Sequence, residues 1–206
     1  MNQSVKYYFA LARSKESQYQ NILRDLKYFL KSLGVNDTII TLEDEYDLSA
    51  EETLKLDTFF SSYLAGIPLD YILNKSEFMG YKFYVDSRAL IPRPETELIV
   101  EWVLDLSLNK NATIFEAGTG SGCIAISICL KNKDLKILAS DLSGQALEVA
   151  QINRELHNAF NVTLKLLLFA AFRTASVTEA VVFWLSFCPH RTQNKTMGFL
   201  VVSICK

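Results

Sequence analysis

The stretch Glu116-Ala117-Gly118-Thr119-Gly120-Ser121-Gly122 carries the clearest chemistry in this sequence. Three glycines alternate directly after a short apolar run, Thr113 to Ala117, and directly before a helical one, Ile124 to Lys131. Glycines in such a turn let the backbone bend sharply and approach a ligand closely. The helix start adds unpaired N–H groups. Asp141 stands 23 residues after Gly118, at the end of the next apolar run. An acid there accepts hydrogen bonds from ribose hydroxyls in nucleotide-type sites. Turn and acid together predict an adenosine-containing cofactor. A tight turn that holds nothing is the plainer alternative.

Spacing alone leaves the cofactor open. Gly120-x-Gly122-x-x-Ala125 fits a relaxed dinucleotide fingerprint, which would make the protein a nicotinamide-dependent enzyme. Glu116 and the alternating glycines suit S-adenosylmethionine better. A ligand carrying sulfonium and ammonium groups tolerates a carboxylate nearby, whereas a pyrophosphate does not.

These residues need elements to position them. Strands at Thr113–Ala117, Lys136–Ala139 and Val162–Phe169 alternate with helices over Ile124–Lys131 and from the cap Ser143 through Ala146, Leu147, Ala150 and Asn153. That alternation predicts a parallel sheet with helices on its faces. Upstream, Pro92 and Pro94 flank Arg93 and hold it extended. Pro94, Glu95 and Glu97 suit a helix start that continues through Ile99, Trp102, Val103 and Leu106. Glu77 to Ile91 reads as a β-hairpin around Gly80 and Asp86-Ser87. Residues 5 to 73 read as helices. One stripe runs from Tyr8 to Leu33 and stops at Gly34. Another starts at Ser49, with an apolar face of Leu54, Leu56, Phe59, Phe60, Tyr63 and Leu64, and ends at Gly66-Ile67-Pro68.

Composition narrows the class. The chain has 206 residues, half of them hydrophobic and 21% charged, so it can build a packed core. Its net charge of −2 argues against a strongly basic nucleic-acid binder. The four cysteines form no CxxC pair and are too sparse for a disulfide scaffold, which predicts a reducing, cytoplasmic setting. With two histidines, His157 and His190, no metal site is expected; Cys188-Pro189-His190 lacks further ligands. The amino terminus carries no secretory pattern. The most apolar stretch, Ala180 to Cys188, has nine residues, too few to span a bilayer, so no membrane association is expected.

Several strings taken together resemble the HemK-type protein-(glutamine N5) methyltransferases of peptide chain release factors. They are Gly66-Ile-Pro-Leu-Asp-Tyr-Ile-Leu73, Glu77-Phe-Met-Gly-Tyr-Lys-Phe83, Leu90-Ile-Pro-Arg-Pro-Glu-Thr-Glu97, Glu116 to Ala125, and Asp141-Leu-Ser-Gly-Gln-Ala-Leu147. The Ile-Pro-Arg-Pro-Glu-Thr-Glu string is specific to that family; the glycine turn is common to many class I methyltransferases. The resemblance implies an α/β fold: a Rossmann-like class I methyltransferase domain, here incomplete, preceded by an amino-terminal helical bundle and a β-hairpin linker. The corresponding spans are 1–75 for the helical substrate-recognition part, 76–97 for the linker, 98–168 for the partial cofactor domain and 169–206 for an atypical tail. It implies S-adenosylmethionine as cofactor, a release factor as protein partner, and N5-methylation of the glutamine in that partner's GGQ motif. Glu116, Gly118, Thr119, Gly120, Ser121, Gly122 and Asp141 would bind the cofactor, with Gly118 to Gly122 at its methionine part, Asp141 at the ribose and Glu116 near the cationic end. Pro92, Arg93, Pro94, Glu95 and Thr96, with Glu97, would line the pocket mouth; local capping and surface ion pairing is the alternative for the charged members. Asn74 stands where the family usually has glycine.

The carboxyl-terminal part departs from the family. Amide methylation needs the nitrogen oriented in line with the methyl donor and its N–H groups accepted. The family does this with Asn-Pro-Pro-Tyr after its fourth strand. None of the four prolines here, Pro68, Pro92, Pro94 and Pro189, is adjacent to another, so no catalytic residue is assigned. The family's acidic residue after the third strand is also missing from Leu168-Phe-Ala-Ala-Phe172. Charge reverses in the same region: residues 1 to 156 hold 22 acids and 16 bases, whereas residues 157 to 206 hold one acid and five bases. The tail is therefore expected to stem from a shifted frame, an alternative exon or a truncating lesion, and methyl transfer by this chain alone is expected to be slight. Three parallel strands would leave an unpaired edge on the first. Val181 to Phe187 and Phe199 to Ile204 are β-prone enough to cover it, or to be adhesive ends. A catalytically silent binding module is the second reading of the chain. A nucleic-acid methyltransferase is a further one, disfavoured by the acidic first part.

Overall fold

A computed structural model describes residues 3–106, 108, 113–166, 180–183 and 199–203. The chain divides into two compact units, Met1–Leu73 and Asn74–Lys206.

The first unit is helical. Helix α1 (Val5–Lys15) begins at Ser4, whose hydroxyl accepts from the Tyr7 N–H. Helix α2 (Ile22–Ser32) follows after a break. The sequence stripe from Tyr8 to Leu33 is thus two helices rather than one. Residues 16–21 (Glu-Ser-Gln-Tyr-Gln-Asn) include Ser and Asn, whose side chains compete for backbone bonds. The break also frees Tyr19 to donate its hydroxyl to the Leu64 carbonyl at 2.9 Å. A short α3 (Asp37–Leu42) is capped by Asn36. Helix α4 (Ala50–Leu64) starts at a full capping box, in which Ser49 and Glu52 satisfy each other's backbone N–H groups. Gly66, at φ +81°, follows its end, and α5 (Leu69–Leu73) starts just after Pro68. Leu56, Phe59 and Phe60 are buried as expected, but Leu54 is 66% exposed. It lies off the helical face that Leu56, Phe59, Phe60 and Tyr63 share at three- and four-residue spacings. The core joins Tyr8, Phe9, Leu26, Phe29, Leu30, Leu56 and Phe59.

The second unit opens with a hairpin of β1 (Ser76–Phe78) and β2 (Tyr81–Phe83). Phe78 pairs with Tyr81 across a two-residue loop in which Met79 (φ +53°) and Gly80 (φ +76°) are both left-handed, a type I′ arrangement. The hairpin is shorter than the predicted 77–91. Downstream of β2, Asp86 accepts from the Arg88 backbone and guanidinium, so this segment turns instead of pairing. Phe78 and Phe83 enter the core of the second unit. Pro94 sits at the first position of a 3₁₀ turn, Pro94–Thr96, leading into α6 (Glu97–Asp105). Ile99, Val100 and Val103 of α6 are buried, whereas Trp102 is half exposed.

The sheet is α/β in character, as expected. Strands β3 (Thr113–Ala117), β4 (Lys136–Asp141) and β5 (Val162–Leu166) are parallel neighbours. Residues 167–169 of the predicted third strand lie outside the described residues. Helix α7 (Cys123–Lys131) links β3 to β4, and α8 (Gly144–Leu156), capped by Ser143, links β4 to β5. Ile114, Ala125, Ile126, Ile128, Ile137, Ala139 and Val162 fill the core between them. The free edge of β3 is covered by β7 (Phe199–Ser203), which runs antiparallel and pairs in turn with β6 (Ala180–Phe183). The full order is β5-β4-β3-β7-β6. This is an incomplete Rossmann-like sheet whose fourth position holds an antiparallel strand. Cys188, His190 and Cys205, with most of the predicted tail, lie outside the described residues.

Candidate functional site

The carboxyl ends of β3 and β4 meet at the glycine turn, where a doubly wound sheet places ligands. Gly118 and Thr119 donate their N–H groups to the Ser140 carbonyl at 2.7 and 2.9 Å. Ser140, fully buried, returns its hydroxyl to the Glu116 carbonyl at 2.8 Å. Gly118, Gly120 and Gly122 have φ of +80°, +55° and +80°. A non-glycine residue would be strained at each. At Gly122 a side chain would also collide: an added Cβ would lie 3.0 Å from Ile126 Cδ1 and 3.2 Å from Ala150 Cβ. Around Gly120 the space is open.

Two acids flank this turn. Asp141 is buried and ends β4. Its Oδ2 accepts from the Gly120 N–H and its Oδ1 from the Ser143 N–H, each at 2.9 Å. Glu116, 2% exposed, accepts from the Thr119 hydroxyl at 2.9 Å on Oε2, while its buried Oε1 makes no hydrogen bond. Burial pushes the Glu116 carboxyl up to about 7. The Asp141 charge adds to that rise, against opposing pulls from the Thr119 hydroxyl and the Ala125 N–H. The neighbouring Cys123 thiol is pushed up to about 12, chiefly by burial and next by Glu116. It is a packed thiol rather than a nucleophile.

The predicted residues divide into two groups. Glu116, Gly118, Thr119, Gly120, Ser121, Gly122 and Asp141 come together around one turn. Pro92, Arg93, Pro94, Glu95 and Thr96 form the extended lead and 3₁₀ turn before α6, held by a bond from the Thr96 N–H to the Arg93 carbonyl. Glu97 lies in the first turn of α6, and its Oε1 accepts from the Met79 N–H at 2.6 Å, holding the left-handed hairpin turn. Among the described residues no His, Cys, Asp and Glu cluster suits a metal, and no helix is long and apolar enough to cross a membrane.

Two contributors escaped the sequence reading. Ser140 and Asn153 are fully buried polar side chains bonded to the turn. Asn153 had a legible signal, being polar at the spacing of the buried Ala146, Val149 and Ala150. Asn74 explains its own departure from glycine, because it occupies φ +49°, a region asparagine tolerates better than most residues.

Comparison with known proteins places this arrangement. Residues 93–182 match the ribosomal protein L11 methyltransferase (PrmA) family. That match spans the Rossmann-like parallel β3-β4-β5 sheet and its glycine turn, so this part of the chain is similar to a methyltransferase family. The release factor glutamine methyltransferase of Chlorobaculum tepidum is 37% identical over 131 residues, covering 61% of this chain and 45% of that protein. The Buchnera aphidicola protein of the same name is 35% identical over 161 residues, covering 77% of this chain and 58% of its own length. That of Nitratidesulfovibrio vulgaris reaches 46% over 92 residues, covering 45% and 31%. The chain is similar to release factor glutamine methyltransferases, and it spans about half the length of the curated relatives it matches.

Proposed function

We propose that the glycine turn binds S-adenosylmethionine and that the chain derives from enzymes methylating a glutamine side chain of a peptide chain release factor. One observation carries this reading: a buried carboxylate, Glu116, keeps an unpartnered oxygen beside a glycine turn that is open at Gly120. A buried acceptor without a donor costs stability unless a ligand supplies one. An ammonium group is such a donor, and it favours the ionised form of Glu116. Asp141 uses one lone pair on each oxygen for Gly120 and Ser143, which leaves acceptor capacity for ribose hydroxyls.

When bound, this cofactor supplies an electrophilic methyl group. The chain's own part is to hold and orient it through Glu116, Gly118 to Gly122 and Asp141. Pro92 to Thr96 line the approach in this reading. These 206 residues contain no Asn-Pro-Pro-Tyr sequence to accept the amide N–H groups.

Calorimetric titration of the purified chain with S-adenosylhomocysteine, with NAD as control, tests the reading. Micromolar binding of the former alone is the expected result. Binding of neither, or of NAD alone, sinks it.

A second reading has its own observation. The helical unit Met1–Leu73 possesses a separate core and a complete capping box. It supports a module that touches a release factor without catalysing transfer. Co-purification of a release factor with this chain, in the absence of turnover, is the result that favours it.

A further inference from the structure

We infer that Asn153 is a positioning residue for the glycine turn, locking it to the segment that leaves the hairpin. This rests on the cofactor reading above. Asn153 lies on α8, and its side chain is completely buried. Its Oδ1 accepts from the Tyr84 N–H at 2.6 Å. Its Nδ2 donates to the Tyr84 carbonyl and to the Ser121 carbonyl, both at 2.9 Å. Both amide donors are therefore committed to backbone groups on two segments far apart in sequence. Only a primary amide presents two donors and an acceptor in this compact form.

The placement has consequences for the turn. Ser121 lies between Gly120 and Gly122, the residues whose left-handed φ values shape the loop. Glycine backbone is intrinsically free, so its conformation must be imposed from outside. Side chains from β4 and α8 contribute to that. Asp141 holds the Gly120 N–H, and Asn153 holds the Ser121 carbonyl. Both grips come from one continuous stretch, β4 through α8. The same helix holds the hairpin exit a second time, because Glu148 accepts from Arg88 at 2.6 Å while Arg88 is paired to Asp86. Residues 84–88 and the cofactor turn are thus fastened to one helix. Asn153 joins the first segment to the second directly. Asn153 acts on the turn through the Ser121 carbonyl, which makes it a positioning residue rather than a catalytic one.

The test uses the full chain and the variants Asn153→Asp and Asn153→Ser, with Asn161→Asp as control. Asn161 also clamps a carbonyl, that of Leu135, at 2.7 Å, but away from the turn. Amide hydrogen exchange without ligand is read on peptides covering residues 118–123 and, for comparison, the rest of α7 and β4. Exchange at the turn should rise at least tenfold in both Asn153 variants while the comparison peptides stay within twofold of the parent. Affinity for S-adenosylhomocysteine should fall at least tenfold in parallel. The control should leave both readouts at the turn unchanged. Unchanged exchange at the turn, an equal rise across all peptides, the same effect from Asn161→Asp, or loss of folding in both Asn153 variants would overturn the inference. A parent chain that binds no S-adenosylhomocysteine overturns the cofactor reading instead, and the exchange measurement still decides the role of Asn153.

Discussion

Asp141 accepts a hydrogen bond from the Gly120 backbone N–H at 2.9 Å, so the acid that ends β4 grips the turn that follows β3. An acid at this position is usually assigned to the ligand alone. Here it also shapes the loop, and its second oxygen starts the next helix through Ser143. Asp141→Asn separates these duties poorly but informatively, because an amide turns one acceptor into a donor facing an N–H. Hydrogen bonds to a charged acceptor contribute about 1.5–3 kcal/mol each, so the variant should lose about 2 kcal/mol of stability in urea unfolding. S-adenosylhomocysteine affinity should drop at least tenfold. Parent-like affinity with lowered stability would confine Asp141 to the loop.

Glu116 sets a pH dependence with a definite sign. Its folded-state value, about 7, lies above the ordinary carboxyl value of 4.5, so the folded chain binds the proton more tightly than the unfolded one. The favourable contribution of the protonated form is present below 4.5 and fades as pH rises through 7. Glu116→Gln mimics the protonated state. At pH 8 it should be more stable than the parent, by roughly 3 kcal/mol at most, and the gap should close near pH 5. Thermal melts at the two pH values check this. The same variant should bind S-adenosylhomocysteine at least tenfold more weakly at pH 8, because the orphan oxygen no longer carries charge. A variant less stable than the parent at pH 8 would mean that the folded chain tolerates the ionised carboxylate.

The turn itself was legible because its glycines, acid and flanking apolar runs are local in sequence. So were β3, β4, α7 and α8, whose apolar residues keep a simple period between clear caps. The break between α1 and α2 was not, since Tyr19 continues the apolar stripe and its bond to Leu64 is a tertiary one. The fasteners of the site were harder still. Asn153 meets Ser121 and Tyr84 only after the sheet forms, and Glu97 meets Met79 only after the hairpin closes. Asp86-Ser87 reads in sequence as part of a hairpin because turn residues between apolar ones look alike whether or not the second strand pairs.

Gly120 and Gly122 distinguish ligand space from packing space. Both have positive φ, so alanine at either costs about 1–2 kcal/mol in backbone strain. At Gly122 the new methyl also presses on Ile126 and Ala150, which adds about 1–3 kcal/mol of overpacking. Gly120→Ala should therefore remain folded with a small loss of stability yet bind S-adenosylhomocysteine at least tenfold more weakly. Gly122→Ala should lose more stability. Chemical denaturation and calorimetry on the pair check the contrast, and equal stability losses would show that α7 and α8 move apart to accept the methyl.

The pairing of β7 with β3 yields the last prediction. Thr113 to Ala117 is bonded on one side to β4 and on the other to Ser203 through Phe199. β3 is the strand that carries Glu116 and leads into the turn, so an exposed edge there would disturb the site as well as solubility. Parallel sheets are ordinarily covered, and an open apolar edge is a template for another chain. Removing residues 180–206 should leave β3 with one bonded neighbour. The shortened chain should show concentration-dependent association by light scattering, along with lost S-adenosylhomocysteine binding. A shortened chain that stays monomeric and binds as the parent does would mean that β3 needs no partner on that side. The antiparallel ribbon would then be incidental to the half-sheet that holds the glycine turn.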